Sequence, residues 1–196
     1  MSLNNTQKKF LDLANKLIKI RNMPENDPTR KSFDKAGFIY DLEYTIGQLG
    51  YFFDTIVPSQ SNNPNTSYYY LKKLEPQEHQ IAYINLTRNF PKELFGGHYC
   101  YILKKFKDKY IVIPTTSVDD VEKDKIQEFE IEIKIKNFVN DKVTRLNVSN
   151  IRAIDIQRIY QTDSPFEKEK GIFDVDTDKT KLHNKICKIL CNLDMD

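Results

Sequence analysis

A histidine after two glycines and a pair of hydroxyls after a proline are the residues of this chain best suited to chemistry. His98 follows Gly96-Gly97, where backbone bare of side chains lets a phosphate approach closely. Its imidazole, with an ordinary pKa of about 6.5, can take a proton and give one back near neutrality. The alternative is a loop histidine with no chemistry at all. Thr116 and Ser117 end the run Ile113-Pro114-Thr115-Thr116-Ser117. They either touch a substrate or bond the local backbone, as strand-end hydroxyls do. Lys104, Lys105, Lys107 and Lys109 crowd one short basic stretch, which either attracts phosphate or simply solvates a hairpin tip. Phe95 and Tyr99 could stack on bases, or belong to the core like most aromatics near strands.

Other candidates carry less. Cys187 and Cys191 are one helical turn apart, with His183 one turn earlier. A metal would need further ligands, so helix packing is the simpler reading, and no metal or cofactor is expected. Arg152 and Asp155 read as a structural contact, and His79 has no supporting partner. The net charge of +2 on 196 residues gives no global polyanion signal, so a nucleic-acid site would have to be local. No segment approaches the roughly 18 apolar residues that cross a bilayer, and Met1–Phe10 lacks the apolar run of a signal peptide. Three cysteines without framework spacing read as free thiols in a reducing compartment. A cytoplasmic protein with no membrane contact is expected.

The elements that must position these residues fall into two parts. Over Thr6–Arg21, Phe10, Leu13, Leu17 and Ile20 recur at helical steps, with Asn5 or Thr6 as N-cap. A second helix is predicted over about 32–53, carrying Phe38, Leu42, Ile46, Leu49 and Phe53, with Gly47 and Gly50 weakening its end. Pro58–Thr66 reads as a loop and Tyr68–Leu71 as a short strand or turn. From Ile81 strands take over: 81–86, 98–103, 110–113, 129–135, 143–148 and 151–155, with Lys104–Lys109 as a hairpin connection. The stretch 161–181 is polar, and a last helix carries Leu182, Ile186, Ile189 and Leu190. The division expected is a helical extension over 1–78 and a strand-rich domain over 79–196. Short strands at hairpin spacing favour a barrel over a parallel sheet.

Four stretches in order resemble the PemK/MazF family. Gln80-Ile81-Ala82-Tyr83-Ile84-Asn85-Leu86 is similar to that family's first strand, D-I-Y-W-V-N-L. Glu93-Leu94-Phe95-Gly96-Gly97-His98-Tyr99 falls on E-x-x-G-x-R-P, Pro114-Thr115-Thr116-Ser117 on P-x-T-[TS], and Asn150-Ile151-Arg152-Ala153-Ile154-Asp155 on Q-I-R-T-I-D. The match covers about 80–159 and leaves the first 79 residues outside it.

The resemblance implies an α+β fold: an SH3-like β-barrel with a C-terminal helix, here preceded by the helical segment. It implies a toxin of the toxin–antitoxin kind, a homodimer bound by an antitoxin protein, that cuts single-stranded RNA without a metal. In that reaction the 2′-hydroxyl attacks the neighbouring phosphate, leaving a cyclic phosphate and a free 5′-hydroxyl. Such a step needs a proton acceptor, a proton donor and hydrogen bonds to the phosphorane oxygens. By position, the family threonine falls on Thr116, beside Ser117. The family arginine falls on His98, or on Tyr99 if the register slips by one. Histidine lacks arginine's fork of donors and its permanent charge, so the implied catalytic set is His98, Thr116 and Ser117. Gly97, Tyr99 and the four lysines are the implied RNA contacts. A binding module that has lost the arginine, for RNA or protein, is the other outcome.

Overall fold

A computed structural model describes residues 4–23, 35–56, 75–87, 93–107, 109–119, 125–138, 142–159 and 171–191. The chain divides into two compact units, Met1–Leu49 and Gly50–Asp196. The predicted turn or strand at Tyr68–Leu71 lies outside the described residues.

The first unit holds α1 (Asn5–Arg21) and most of α2, which begins at Lys35, runs past the division to Tyr51 and passes into a π-helical turn, Phe52–Ile56. The cap of α1 is Asn4, one residue before the earlier of the two predicted positions. Asn4 Oδ1 accepts from the Gln7 amide at 2.9 Å and Gln7 Oε1 from the Asn4 amide at 3.0 Å, so two otherwise orphaned donors are satisfied reciprocally. The Lys35 ammonium donates to the Arg21 and Met23 carbonyls at 3.2 and 3.3 Å, where a cation suits the C-terminal end of α1. α1 buries no residue, and Phe10 and Leu13 stay 69% and 51% exposed. Amphipathic spacing made the helix; it did not bury it.

The second unit is built on antiparallel strands: β1 (Gln80–Asn85), β2 (Gly97–Lys105), β3 (Lys109–Val118), β4 (Glu130–Ile133), β5 (Val143–Asn147), β6 (Arg152–Asp155) and β7 (Ile172–Asp174). They form one seven-stranded sheet in the order β4-β5-β3-β2-β1-β7, with β6 on β3. The fold is therefore α+β with an antiparallel sheet, but these ladders do not run round into a closed barrel. Just beyond β4 and β7, a single bridge pairs Ile135 with Val175. Two backbone hydrogen bonds flank it, Lys136 to Asp174 at 2.9 Å and Asp176 to Lys134 at 2.8 Å.

β7 falls in the stretch read from sequence as polar connection. Only Ile172 and Phe173 mark it, and its pairing with Gln80–Ala82 of β1 is what makes it a strand. Such non-local pairing leaves no local period to find.

Alternation splits the core in two. Ile81, Tyr101 and Ile113 join Ile131, Ile133 and Leu146 on one face, while Ala82, Ile84, Cys100, Ile102, Tyr110 and Val112 fill the other. Both faces of β1–β3 are covered, which is why these strands read as nearly continuous apolar runs. The last helix, α3 (Lys179–Cys191), drives Leu182 and Ile186 into the first cluster. Burying each contributes up to about 1.5–3 kcal/mol. Cys187 and Cys191 are exposed rather than packed, and Cys100 is the buried thiol. Among the described residues, no helix is long and apolar enough to cross a membrane.

Candidate active site

β3 changes partners part-way along. Lys109–Val112 pair with β6 and Tyr110–Pro114 with β2, whereas Thr115–Val118 pair with β5. Pro114 lies at the switch, where a residue without an N–H leaves no donor orphaned as the ladder breaks. Beyond the Cys100–Pro114 pair the start of β2 and the end of β3 part. An open pocket of ≈ 390 Å³ lies between them, lined by Tyr83, Gly97, His98, Tyr99, Thr115, Thr116 and Ser117.

The β2–β3 ladder ends at the Cys100–Pro114 pair, and beyond it His98 and Thr116 both line the pocket. Successive side chains alternate along each strand, so Tyr99 points away from His98, and Thr115 and Ser117 away from Thr116. Thr115 Oγ1 donates to the Tyr99 carbonyl at 2.9 Å, which holds the fork of the two strands. Thr116 Oγ1, in contrast, is buried with no hydrogen-bond partner among the described residues. The His98 ring, half-buried, also makes no hydrogen bond or ion pair among them.

The glycines have separate jobs. Gly96 has a φ of 74°, which glycine adopts without a Cβ penalty. A Cβ on Gly97 would fall on the Tyr83 phenol, so glycine there admits the Tyr83 ring to the pocket wall. The preceding loop is tied down by the fourth family-like stretch. Asn150 Oδ1 accepts from the Leu94 amide at 3.0 Å and from Arg152 Nη2 at 3.2 Å. Arg152 thus bonds Asn150, and the contact expected between Arg152 and Asp155 is not formed among the described residues. Asp155 has a local one, accepting from the Gln157 amide at 2.8 Å.

Tyr99 is packed edge-to-face against Tyr83, Phe138 and Phe173, with ring centroids 5.2, 4.9 and 5.8 Å away. The four lysines are not brought to the pocket. They sit at the far end of the β2–β3 hairpin, where Lys104 is six residues along β2 from His98, or roughly 20 Å at about 3.3 Å per residue. Lys104 pairs with Glu78 at 2.9 Å and Lys105 with Glu75 at 2.5 Å, while Lys107 and Lys109 are exposed.

Three residues escaped the sequence reading. Tyr83 lines the pocket, and its only sequence signal is membership of the first family-like stretch. Arg145 lies opposite Thr116 on β5 and is 1% exposed. It donates to the Lys125 carbonyl at 3.0 Å and to Glu130 of β4 at 3.4 Å. Tyr101 receives both remaining histidines on its hydroxyl: His79 Nδ1 and His183 Nε2 each lie 3.0 Å away. His79 therefore has a partner, and His183 turns toward the sheet rather than toward the cysteines. Among the described residues, no group of three or more His, Cys, Asp or Glu side chains could hold a metal ion.

No family model matches the chain, and no curated protein matches it. Among solved structures it is similar to MazF (Form-I) from Deinococcus radiodurans, at 16% identity and a TM-score of 0.40, over 60% of this chain and 98% of that one. It is also similar to MazE-MazF (Form-II) from the same organism, at 16% identity and a TM-score of 0.37, over 59% and 96%. The chemistry has to be read from the pocket itself.

Proposed function

We propose that residues 79–196 are a PemK/MazF-like endoribonuclease unit that cleaves single-stranded RNA by metal-independent transesterification. The observation that carries this is the presence of His98 and a buried Thr116 hydroxyl, without a hydrogen-bond partner among the described residues, in the lining of one open pocket. A buried polar atom without a partner is uncommon in a native structure and calls for an explanation, which a substrate oxygen in the pocket would supply. His98 accepts the proton of the RNA 2′-hydroxyl as that oxygen bonds to phosphorus. The P–O5′ bond then breaks, and water protonates the departing 5′-oxygen. Thr116 donates to a non-bridging oxygen, Ser117 lines the pocket from the next position, the Gly97 backbone lets the phosphate approach, and Tyr99 borders the adjacent base. Lys107 and Lys109 attract the RNA backbone at a distance, with Lys104 and Lys105 contributing less because each has an acidic partner. The Ile135–Val175 bridge supports reading the sheet as a small SH3-like barrel. A homodimer, an antitoxin partner and action in the cytoplasm follow from the same family reading, with residues 1–78 as an added helical extension.

A second reading has its own support: the pocket lining contains neither arginine nor lysine. On that reading the unit binds RNA or protein without cutting. One experiment separates the two. Purified protein incubated with mixed-sequence RNA in EDTA should yield fragments with cyclic phosphate and 5′-hydroxyl ends. Cleavage that stops on chelation, or that leaves 5′-phosphate, rules out this chemistry. Binding with no cleavage favours the second reading.

A further inference from the structure

The chain has three histidines, and two of them converge on one buried hydroxyl. Tyr101 is fully buried in the cluster that receives α3. His79 approaches it from the segment just before β1, and His183 from the second turn of α3. His79 is held hard in place: its backbone is left-handed, with a φ of 70°. Its amide donates to the Ile102 carbonyl at 3.0 Å and its carbonyl accepts from Val175 at 3.4 Å. A non-glycine residue keeps such a backbone only where its surroundings over-determine it.

Proton counting shows what this arrangement tolerates. Tyr101 has one proton to donate and lone pairs with which to accept. With both imidazoles neutral, it donates to one ring and accepts from the other. One added proton is absorbed by reversing the Tyr101 hydroxyl. A second turns both ring nitrogens into donors aimed at the same oxygen and strands the Tyr101 proton in the core.

We propose that His79, Tyr101 and His183 form an acid-sensitive latch, which holds α3 on the sheet while at most one imidazole is charged and releases it when both are. Burial is the largest cause holding each imidazole below its ordinary value. Lys179, at the start of α3, works in the same direction on both rings. His79 and, less, Lys104 add to this on His183, whereas Glu78 opposes it there and Asp178 and Asp174 oppose it on His79. Glu78 is itself held low by its hydrogen bond from Lys104, so it stays charged over the range that matters. The sign follows. An undocked imidazole takes its proton near pH 6.5 and a docked one only at lower pH. Docking is therefore complete above about pH 6.5 and weakens as the pH falls below it.

The test uses the full chain and does not depend on any RNA activity. Imidazole NMR should show His79 and His183 titrating below the ordinary value. Amide exchange over Leu182–Ile186, corrected for intrinsic rates, should speed up between pH 7 and 5 by up to about tenfold per pH unit for each imidazole. The amides of Tyr110–Ile113 should not follow. The double variant His79→Gln, His183→Gln should abolish that acid dependence. The latch is overturned if both wild-type imidazoles titrate at or above the ordinary value. It is equally overturned if α3 protection is flat from pH 7 to 5, or if the double variant keeps the wild-type acid loss. Should the double variant fail to fold, the wild-type titration and exchange decide alone.

Discussion

β2 carries two polar centres three residues apart that could hardly be treated more differently. At Tyr101, a buried hydroxyl is bonded by two half-buried imidazoles. At His98, an imidazole and the Thr116 hydroxyl line an open pocket with hydrogen-bonding capacity left over. Both centres are histidine plus hydroxyl, and composition alone would rate them equal. What separates them is completion. A satisfied buried network specifies and rigidifies a fold, whereas an unsatisfied one is a standing cost that function has to explain.

The largest test of that contrast is to remove each histidine in turn. His98→Ala should lower RNA cleavage by roughly 10²–10⁴, the usual worth of one general acid–base group, with the fold intact. His183→Gln at pH 7.5 should leave cleavage near the parent rate and change the acid response of α3 instead. The two variants are compared by initial rates on one RNA and by circular dichroism. His98→Arg restores the residue that the family resemblance places there and should keep or raise activity. Tyr99→Arg should do so only if the alignment slips by one. A folded His98→Ala protein that cuts at the parent rate would make the two centres equivalent and remove His98 from the chemistry.

How much of this could be read without coordinates varies with the range of the interactions. The helices and six of the seven strands were legible because their apolar spacing is local: Ile131 and Ile133 alternate with charge, and Leu182 and Ile186 repeat at helical distance. β7 was not, since three residues acquire strand identity only by pairing with β1. The cap was misplaced by a residue because Asn4, Asn5 and Thr6 are all competent caps, and only the reciprocal Asn4–Gln7 pair decides. Within the pocket, Gly97, His98, Thr116 and Ser117 were legible through the family-like stretches. The divergence of β2 and β3 after Pro114 that gathers them was not, because no residue type encodes a change of strand partner. The His79–Tyr101–His183 contact spans 22 and 82 positions of sequence, and nothing near either histidine announces it.

A smaller effect distinguishes the centres by opposing signs. Thr116→Val keeps the shape and deletes the unpartnered hydroxyl. The desolvation cost of an unsatisfied buried group, about 1–3 kcal/mol, disappears with it, so the melting temperature should rise by a few degrees, at about 2–4 °C per kcal/mol for a chain of this size. Cleavage should fall by about 10²–10³, as when one donor to a developing oxyanion is lost. Tyr101→Phe, which also deletes a hydroxyl, should instead lower the melting temperature, since it strands two ring nitrogens. If Thr116→Val melts below the parent, its hydroxyl has a partner and the pocket is a structural site like the other.

The smallest expected effect concerns the lysines at the far end of β2. Lys104 and Lys105 are each matched by a carboxylate, and Lys104 is itself the first cause of the low Glu78 pKa. Their charge is largely neutralised before any RNA arrives. Lys107 and Lys109 are exposed at the hairpin tip, on the turn closed by the Phe106 amide and the Lys109 carbonyl at 2.8 Å. Single-stranded RNA that reaches the tip from the pocket should release one counterion for each lysine that sits on a phosphate. The dependence of log affinity on log salt should then flatten by about 0.7 per lysine removed. Lys107→Gln and Lys109→Gln should each produce that flattening, measured by fluorescence anisotropy with a 2′-O-methyl oligonucleotide that cannot be cut. Lys104→Gln should leave the slope as it was. Equal slopes for all of these variants would confine RNA contact to the pocket end of β2. A larger change from Lys104→Gln would mean that RNA displaces Glu78, and that the carboxylates at this end compete for the lysines with the substrate.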